Sequence, residues 1–214
     1  MDQRKRLYRM KGIIRNYKDY EEYVAHQKKK TEDPVRREKW LGEEWEIKLI
    51  GFMKEFNKLI NANLIKEGQK ALCLGARTGQ EVFALNKLGL EAIGIDLVPC
   101  EPLVVEGDIH NLAYENKSFD FVFTNVLDHS LQPDKMMSEV ERVLKSNGIF
   151  LLQMQVNYPQ DEFTEFVPES IQQIIDFFKK SKMIHSNWIF EDKSINAHGM
   201  NFEMIFRKND EDTV

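Results

Sequence analysis

The spacing of apolar positions changes near residue 68, which divides the chain into an all-helical beginning and a longer stretch of alternating strands and helices. In the first part Leu7, Met10, Ile14, Tyr17 and Val24 recur at helical spacing among Arg4, Lys5, Arg6, Arg9, Lys11 and Arg15. This predicts a basic amphipathic helix whose apolar face covers another surface. Asp33-Pro34 is a helix start signal. From Val35 to Ile60, the residues Trp40, Leu41, Trp45, Leu49, Phe52, Met53, Phe56 and Ile60 mark one face of a core-packing helix.

Beyond residue 68, short apolar runs separated by helix-like segments are the signature of a parallel sheet with crossovers. The pattern predicts strands at Lys70–Leu74, Glu91–Ile95, Leu103–Glu106, Phe119–Thr124 and Ile149–Gln155. Helices are expected at Glu81–Leu88, Lys135–Lys145 and Ser170–Lys182. Two last runs, His185–Phe190 and Phe202–Arg207, complete the sheet as an antiparallel, hairpin-like pair. The expectation is therefore an α/β fold with a seven-stranded, mostly parallel sheet and flanking helices. A helical extension or lid over residues 1–66 packs on a core of residues 67–208, and 209–214 form a flexible tail.

Composition adjusts this picture in a few places. Of 214 residues, 42% are hydrophobic and 30% charged, which fits one soluble domain and excludes global disorder. No apolar run is long enough for a membrane span, and the first residues lack a secretory signal pattern, so a cytoplasmic location is expected. Cys73 and Cys100 are too few for a disulfide framework, and Cys73 reads as a buried, inert thiol. The net charge of −5 hides an asymmetry: residues 1–40 hold thirteen Lys/Arg against seven Asp/Glu. The remaining chain is acidic, so nucleic acid is not an expected partner of the whole protein.

Candidate chemistry collects at the carboxyl ends of the predicted strands. The first ends in Leu-Gly-Ala-Arg-Thr-Gly, where Gly75 and Gly79 let the backbone turn sharply and approach a ligand. The second ends in Asp96, seventeen positions after Gly79, near the distance at which an acid meets ribose hydroxyls in dinucleotide-type sites. The third ends in Gly107-Asp108-Ile109 and the fourth in Thr124-Asn125. Open α/β sheets bind ligands at such a rim. His129, beside Asp128 just past the fourth strand, has the chemistry of a general base.

Taken in order, Leu-Gly-x-x-Thr-Gly, Gly-Ile-Asp, Gly-Asp-Ile, Ser-Phe-Asp-Phe-Val, Asp-His-x-x-x-Pro-Asp and Glu-Val-Glu-Arg-Val-Leu-Lys-x-x-Gly resemble the class I S-adenosylmethionine-dependent methyltransferase family over about residues 70–155. The likeness is greatest to its small-molecule-type group and extends to uncharacterised methyltransferase-like proteins of plants. It implies a Rossmann-like fold, S-adenosyl-L-methionine as cofactor, and methyl transfer to an oxygen or nitrogen of a small molecule or peptide. It also implies cofactor contacts from Gly75, Ala76, Arg77, Thr78 and Gly79 to the methionine moiety, from Asp96 to the ribose, from Asp108 and Ile109 to the adenine, and from Leu97, Asn125 and Val126. His129 and Asp128 stand as candidate proton acceptors. No metal is implied, because Asn125 replaces the first acid of the metal-binding segment of related enzymes.

Two departures qualify the resemblance. Arg77 stands where the family has a glycine, either pairing with the cofactor carboxylate or narrowing the site. The link Leu97-Val98-Pro99-Cys100-Glu101-Pro102 is too short for the usual helical crossover, so the amino-terminal helices, a protein partner or a second copy must cover that part of the sheet. These departures keep open an alternative function, a catalytically inactive binding or scaffold protein with the same fold. Asn125-Val126-Leu127-Asp128 is not the Asn-Pro-Pro-Tyr of base-directed amino methyltransferases, which disfavours nucleic-acid substrates. Tyr17, Tyr20, Tyr23 and His26 are candidates for closing over the cofactor. Asn157–Pro168, with Tyr158, Phe163 and Phe166, is the expected acceptor wall.

Overall fold

Strand β1 (Lys70–Leu74) forms where the run Ala-Leu-Cys-Leu leaves the turn at Gly68, and it becomes an interior strand of a seven-stranded sheet. The computed structural model describes residues 10–157, 159–188 and 200–210. The other strands are β2 (Glu91–Asp96), β3 (Val104–Glu106), β4 (Phe119–Thr124), β5 (Leu144–Met154), β6 (Ser181–Trp188) and β7 (Phe202–Lys208). Their order across the sheet is β3-β2-β1-β4-β5-β7-β6. The first five run parallel, and β7 is antiparallel to both β5 and β6, so the sheet is mixed but mostly parallel. Strand order reverses between β1 and β4, which opens a crevice above their carboxyl ends.

Side chains of a strand alternate between faces, and each face has its own cover. Leu72, Leu74, Val122, Phe150, Leu152 and Phe206 pack with Met136, Met137, Val140 and Val143 of helix α5 (Pro133–Val143). Ala71, Cys73, Phe121, Phe123, Ile149 and Leu151 pack with Phe52, Phe56 and Leu59 of α3 (Trp45–Asn61) and Val82 and Leu85 of α4 (Gln80–Lys87). The link between β2 and β3 holds no helix, as its length required. Helix α2 (Pro34–Leu41) reaches that corner: Arg37 Nη2 donates to the Pro99 carbonyl, and Gln80 Nε2 donates to the Trp40 carbonyl.

Four elements differ from the sequence expectation. Residues 10–18 are not helical, and α1 spans Tyr20–Glu32, started by Asp19, whose side chain accepts from Glu22 N–H. Gly12 takes a φ of +93° with the Val167 carbonyl beside it, and Ile13 bridges Phe166, so the segment lies extended along residues 161–168. Arg15 spends its charge on the carbonyls of Thr164 and Asp161. The Leu7 end of the expected helix lies outside the described residues.

The single helix expected from Val35 is two helices broken at Gly42, with Leu41 turned to solvent. The expected helix at Ser170–Lys182 shrinks to α6 (Ile171–Ile175). Buried Glu141 takes the N–H groups of Lys179 and Lys180, and the chain then joins β7 as strand β6. Strand β5 begins at Leu144, ahead of a register shift between Leu144 and Ile149, which ends α5 early. Ile189, Phe190 and His198, like residues 211–214 of the tail, lie outside the described residues.

Candidate active site

A cavity of about 730 Å³ lies above the carboxyl ends of β1, β2, β4 and β5, a size that suits a small organic ligand. The turn after β1 forms its floor. Gly75 has a φ of +70°, and a Cβ there would lie 2.4 Å from Val126 Cγ2, so only glycine lets the β1 and β4 turns meet. Arg77 also takes a left-handed φ, +45°, a conformation that glycine adopts more readily. Its guanidinium leans 5.0 Å over the Trp40 ring of α2, so the side chain lines the cavity without closing it.

Asp96 is buried at the end of β2 and lines the cavity. Its Oδ2 accepts from Arg77 N–H and its Oδ1 from Val98 N–H, at 3.0 Å each. Burial pushes its pKa up, while those N–H groups and the charges of Arg77 and Arg37 hold it back. Glu81, fully buried below the turn, is pushed up to about 7 by burial, against its own N–H and the charges of Arg77 and Lys48. Asn125, buried at the end of β4 and lining the cavity, has no hydrogen-bond partner for Nδ2 among the described residues. A buried amide donor without an acceptor costs free energy, which a ligand's acceptor atom would recover.

Helix α1 roofs the site through side chains one and two turns apart. Tyr20 Oη donates to Asp108 Oδ2 at 2.7 Å, Tyr23 Oη donates to the His129 carbonyl at 2.9 Å, and Gln27 Nε2 donates to Glu165 Oε1 at 2.7 Å. Tyr17, ahead of the helix, donates to the same Glu165 oxygen. The Gln132 N–H points at His110 Nε2, so the ring hydrogen sits on Nδ1, which faces Asp108 and Tyr20. Burial opposes ionisation of Asp108. Hydrogen bonds from His110 and Tyr20 outweigh it and hold the carboxyl at about 2.

A folded value below the ordinary 3.8 means that Asp108 contributes stability above 3.8 and loses it as pH falls towards 2. Tyr20→Phe is therefore expected to cost on the order of 1–2 kcal/mol at neutral pH. The difference from wild type should shrink over that acid window, as measured by denaturant unfolding at a series of pH values.

Of the residues singled out in the sequence, Gly75, Arg77, Asp96, Leu97, Asp108, Ile109, Asn125, Val126, Asp128 and His129 all line the cavity. Ala76, Thr78 and Gly79 do not. Ala76 N–H donates to the Ile95 carbonyl, Thr78 Oγ1 donates to Gln80 Oε1, and Gly79 at φ +87° fits under Leu103, so these residues shape the turn. Phe166 is in the wall. Phe163 instead stacks on His26, with Lys30 and Arg36 near its ring, and Tyr158 lies outside the described residues. Lys30, Gln27 and Lys48 also line the cavity, and the sequence reading passed over all three. Tyr23, Gln27 and Lys30 stand at helical spacing, a signal that becomes readable once the start of α1 is known.

Comparison with known proteins agrees with this geometry. Residues 72–152 match the family model described as Methyltransferase domain, a span from within β1 to within β5. Over those residues the chain is similar to a methyltransferase domain. An uncharacterised methyltransferase of Synechocystis is 32% identical over 117 residues, which are 48% of this chain; the chain spans 55% of that relative's length.

Among solved structures, the Burkholderia thailandensis 1,6-didemethyltoxoflavin-N1-methyltransferase, with bound 1,6-didemethyltoxoflavin and S-adenosylhomocysteine, is similar at a TM-score of 0.67 and 16% identity. The match covers 93% of this chain and 94% of that one. A putative Haloferax volcanii methyltransferase in complex with the Trm112 methyltransferase activator is similar at 0.61 and 14% identity, over 88% and 98% of the chains. At these identities the likeness extends to the fold. Among the described residues, no helix is long and apolar enough to cross a membrane.

Proposed function

We propose that the chain binds S-adenosyl-L-methionine in the rim cavity and transfers its methyl group to an oxygen or nitrogen nucleophile of a small molecule or peptide. The observation that carries this reading is the convergence of Asp96, Asp108 and the unpartnered Asn125 amide on one cavity at the strand-order reversal. Asp96 would accept the ribose hydroxyls, Asp108 and Ile109 would border the adenine, and the Gly75 turn with Arg77 would hold the amino-acid end. When bound, the cofactor supplies a methyl group on an already activated sulfonium. The protein's part is then chiefly alignment and exclusion of water. Met154, Val156 and Phe166 supply an apolar wall for the acceptor, and α1 supplies the roof. Arg77, leaning on Trp40 beside an open cavity, favours this reading over an inactive scaffold.

Titration calorimetry with S-adenosylmethionine and S-adenosylhomocysteine tests the proposal. We expect one site per chain, weakened roughly tenfold to a hundredfold by Asp96→Ala, as for loss of a charged hydrogen-bond partner. Absence of heat at millimolar cofactor overturns the reading in favour of the scaffold. The fold's ability to take a protein partner, as the Haloferax relative does, is a question for the same purified chain in solution.

A further inference from the structure

Lys30 enters the cavity from α1 with its Nζ 2.8 Å from His129 Nε2 and 3.4 Å from Asp161 Oδ2. His129 Nδ1 lies 2.8 Å from the Phe163 carbonyl, which can only accept, so Nδ1 bears the ring hydrogen. Nε2 is then occupied by a hydrogen from Lys30, and the imidazole has no free electron pair to offer a ligand. An amine that donates one hydrogen to Nε2 keeps its own pair directed elsewhere.

We propose that Lys30, rather than His129, is the proton acceptor of this site, with His129 positioning the amine and Asp161 balancing the charge it gains. This rests on the methyl-transfer reading. The acceptor's O–H or N–H bond breaks, and an electron pair of that oxygen or nitrogen becomes the bond to the methyl carbon. The pair of the old carbon–sulfur bond stays on sulfur, and the proton ends on Lys30 Nζ.

The surroundings of the amine agree with the role. Burial pulls the Lys30 pKa below its ordinary value and the charge of Arg77 adds to this, while Asp161 and Asp128 oppose it. The groups facing Nζ are Asp128 and His129 from the turn after β4, Asp161 and the Phe163 ring from the loop after β5, and Arg77 from the β1 turn.

Two chemical labels applied to the unloaded full chain, and read by mass spectrometry, test the assignment. With acetic anhydride pulses over a pH series, Lys30 should acquire reactivity at lower pH than the exposed lysines. Asp161→Asn should move that rise further down, and Arg77→Met should move it up. Diethyl pyrocarbonate should spare His129 in the wild type and modify it in Lys30→Met and Lys30→Ala. The proposal is overturned if Lys30 follows the exposed lysines, if it ignores both charge changes, or if His129 reacts equally with and without Lys30. Neither label needs cofactor, so failure here is distinct from absence of heat in the calorimeter, which overturns the methyl-transfer reading instead.

Discussion

Gly75→Ala should destabilise the chain by about 2–5 kcal/mol and weaken adenosyl-ligand binding roughly tenfold or more. Two costs combine. At a φ of +70° an alanine carries the strain of the left-handed region, about 1–2 kcal/mol. Its Cβ would also stand 2.4 and 2.9 Å from the two methyl carbons of Val126, and relief by moving a packed side chain costs typically about 1–3 kcal/mol. Val126 follows Asn125 in the turn that lines the cavity, so the displacement reaches the unpartnered amide and the ligand space together.

Gly68→Ala is the matched control. Its φ is +78°, but nothing among the described residues lies within 4 Å of the added carbon, so it bears the backbone strain alone. Thermal denaturation reads the difference, each kcal/mol being worth roughly 2–4 °C for a chain of this size, and calorimetry reads the affinity. Equal effects of the two substitutions on both readouts would remove the turn-to-turn contact from the account.

The parts of the fold that were legible in the sequence are those where local pattern and tertiary packing agree. Strands β1 and β4 have the boundaries the apolar runs predict, because each run is short, buried on both faces and bounded by turn residues. The rim residues were legible for the same reason: a strand end fixes where its next residue must stand. The strap at residues 10–18 was not legible. Its apolar spacing is helical, but Gly12 is needed in a conformation that no helix contains, and its partners lie some 150 positions away at Phe166 and Val167.

The length of α6 was hidden for a similar reason, since Glu141 on α5 captures the N–H groups that would have continued the helix. Lys30 sits in the run Lys28-Lys29-Lys30, and nothing in the run itself distinguishes the lysine that turns inward. Charged residues enter interiors only where partners await them, and His129 and Asp161 are 99 and 131 positions downstream.

Phe56→Ala should cost about 3–5 kcal/mol, a large share of the roughly 5–15 kcal/mol that holds a domain folded. Phe56 is fully buried on α3. Its ring meets Phe123 edge-on at 5.3 Å and Phe121 at 5.9 Å, and lies parallel to Phe52 at 5.9 Å. Removing it opens a cavity between the amino-terminal helix and the central strands, at the face where the β2–β3 link contributes no helix of its own. Ile50, on the same helix but turned to solvent, gives the comparison: Ile50→Ala is expected to stay within about 0.5 kcal/mol of wild type.

The pair of variants also tests where the domain begins. If residues 1–66 were an extension docked on a self-sufficient core, Phe56→Ala would detach the helix and leave the main unfolding transition in place. With Phe56 in one aromatic cluster with β4, the whole transition should instead move together to lower denaturant, with unchanged slope, whether read by tryptophan fluorescence from α2 and α3 or by far-ultraviolet circular dichroism. A second transition appearing in the variant would place the domain boundary after α3. A single shifted one makes α3 part of the same core as the sheet.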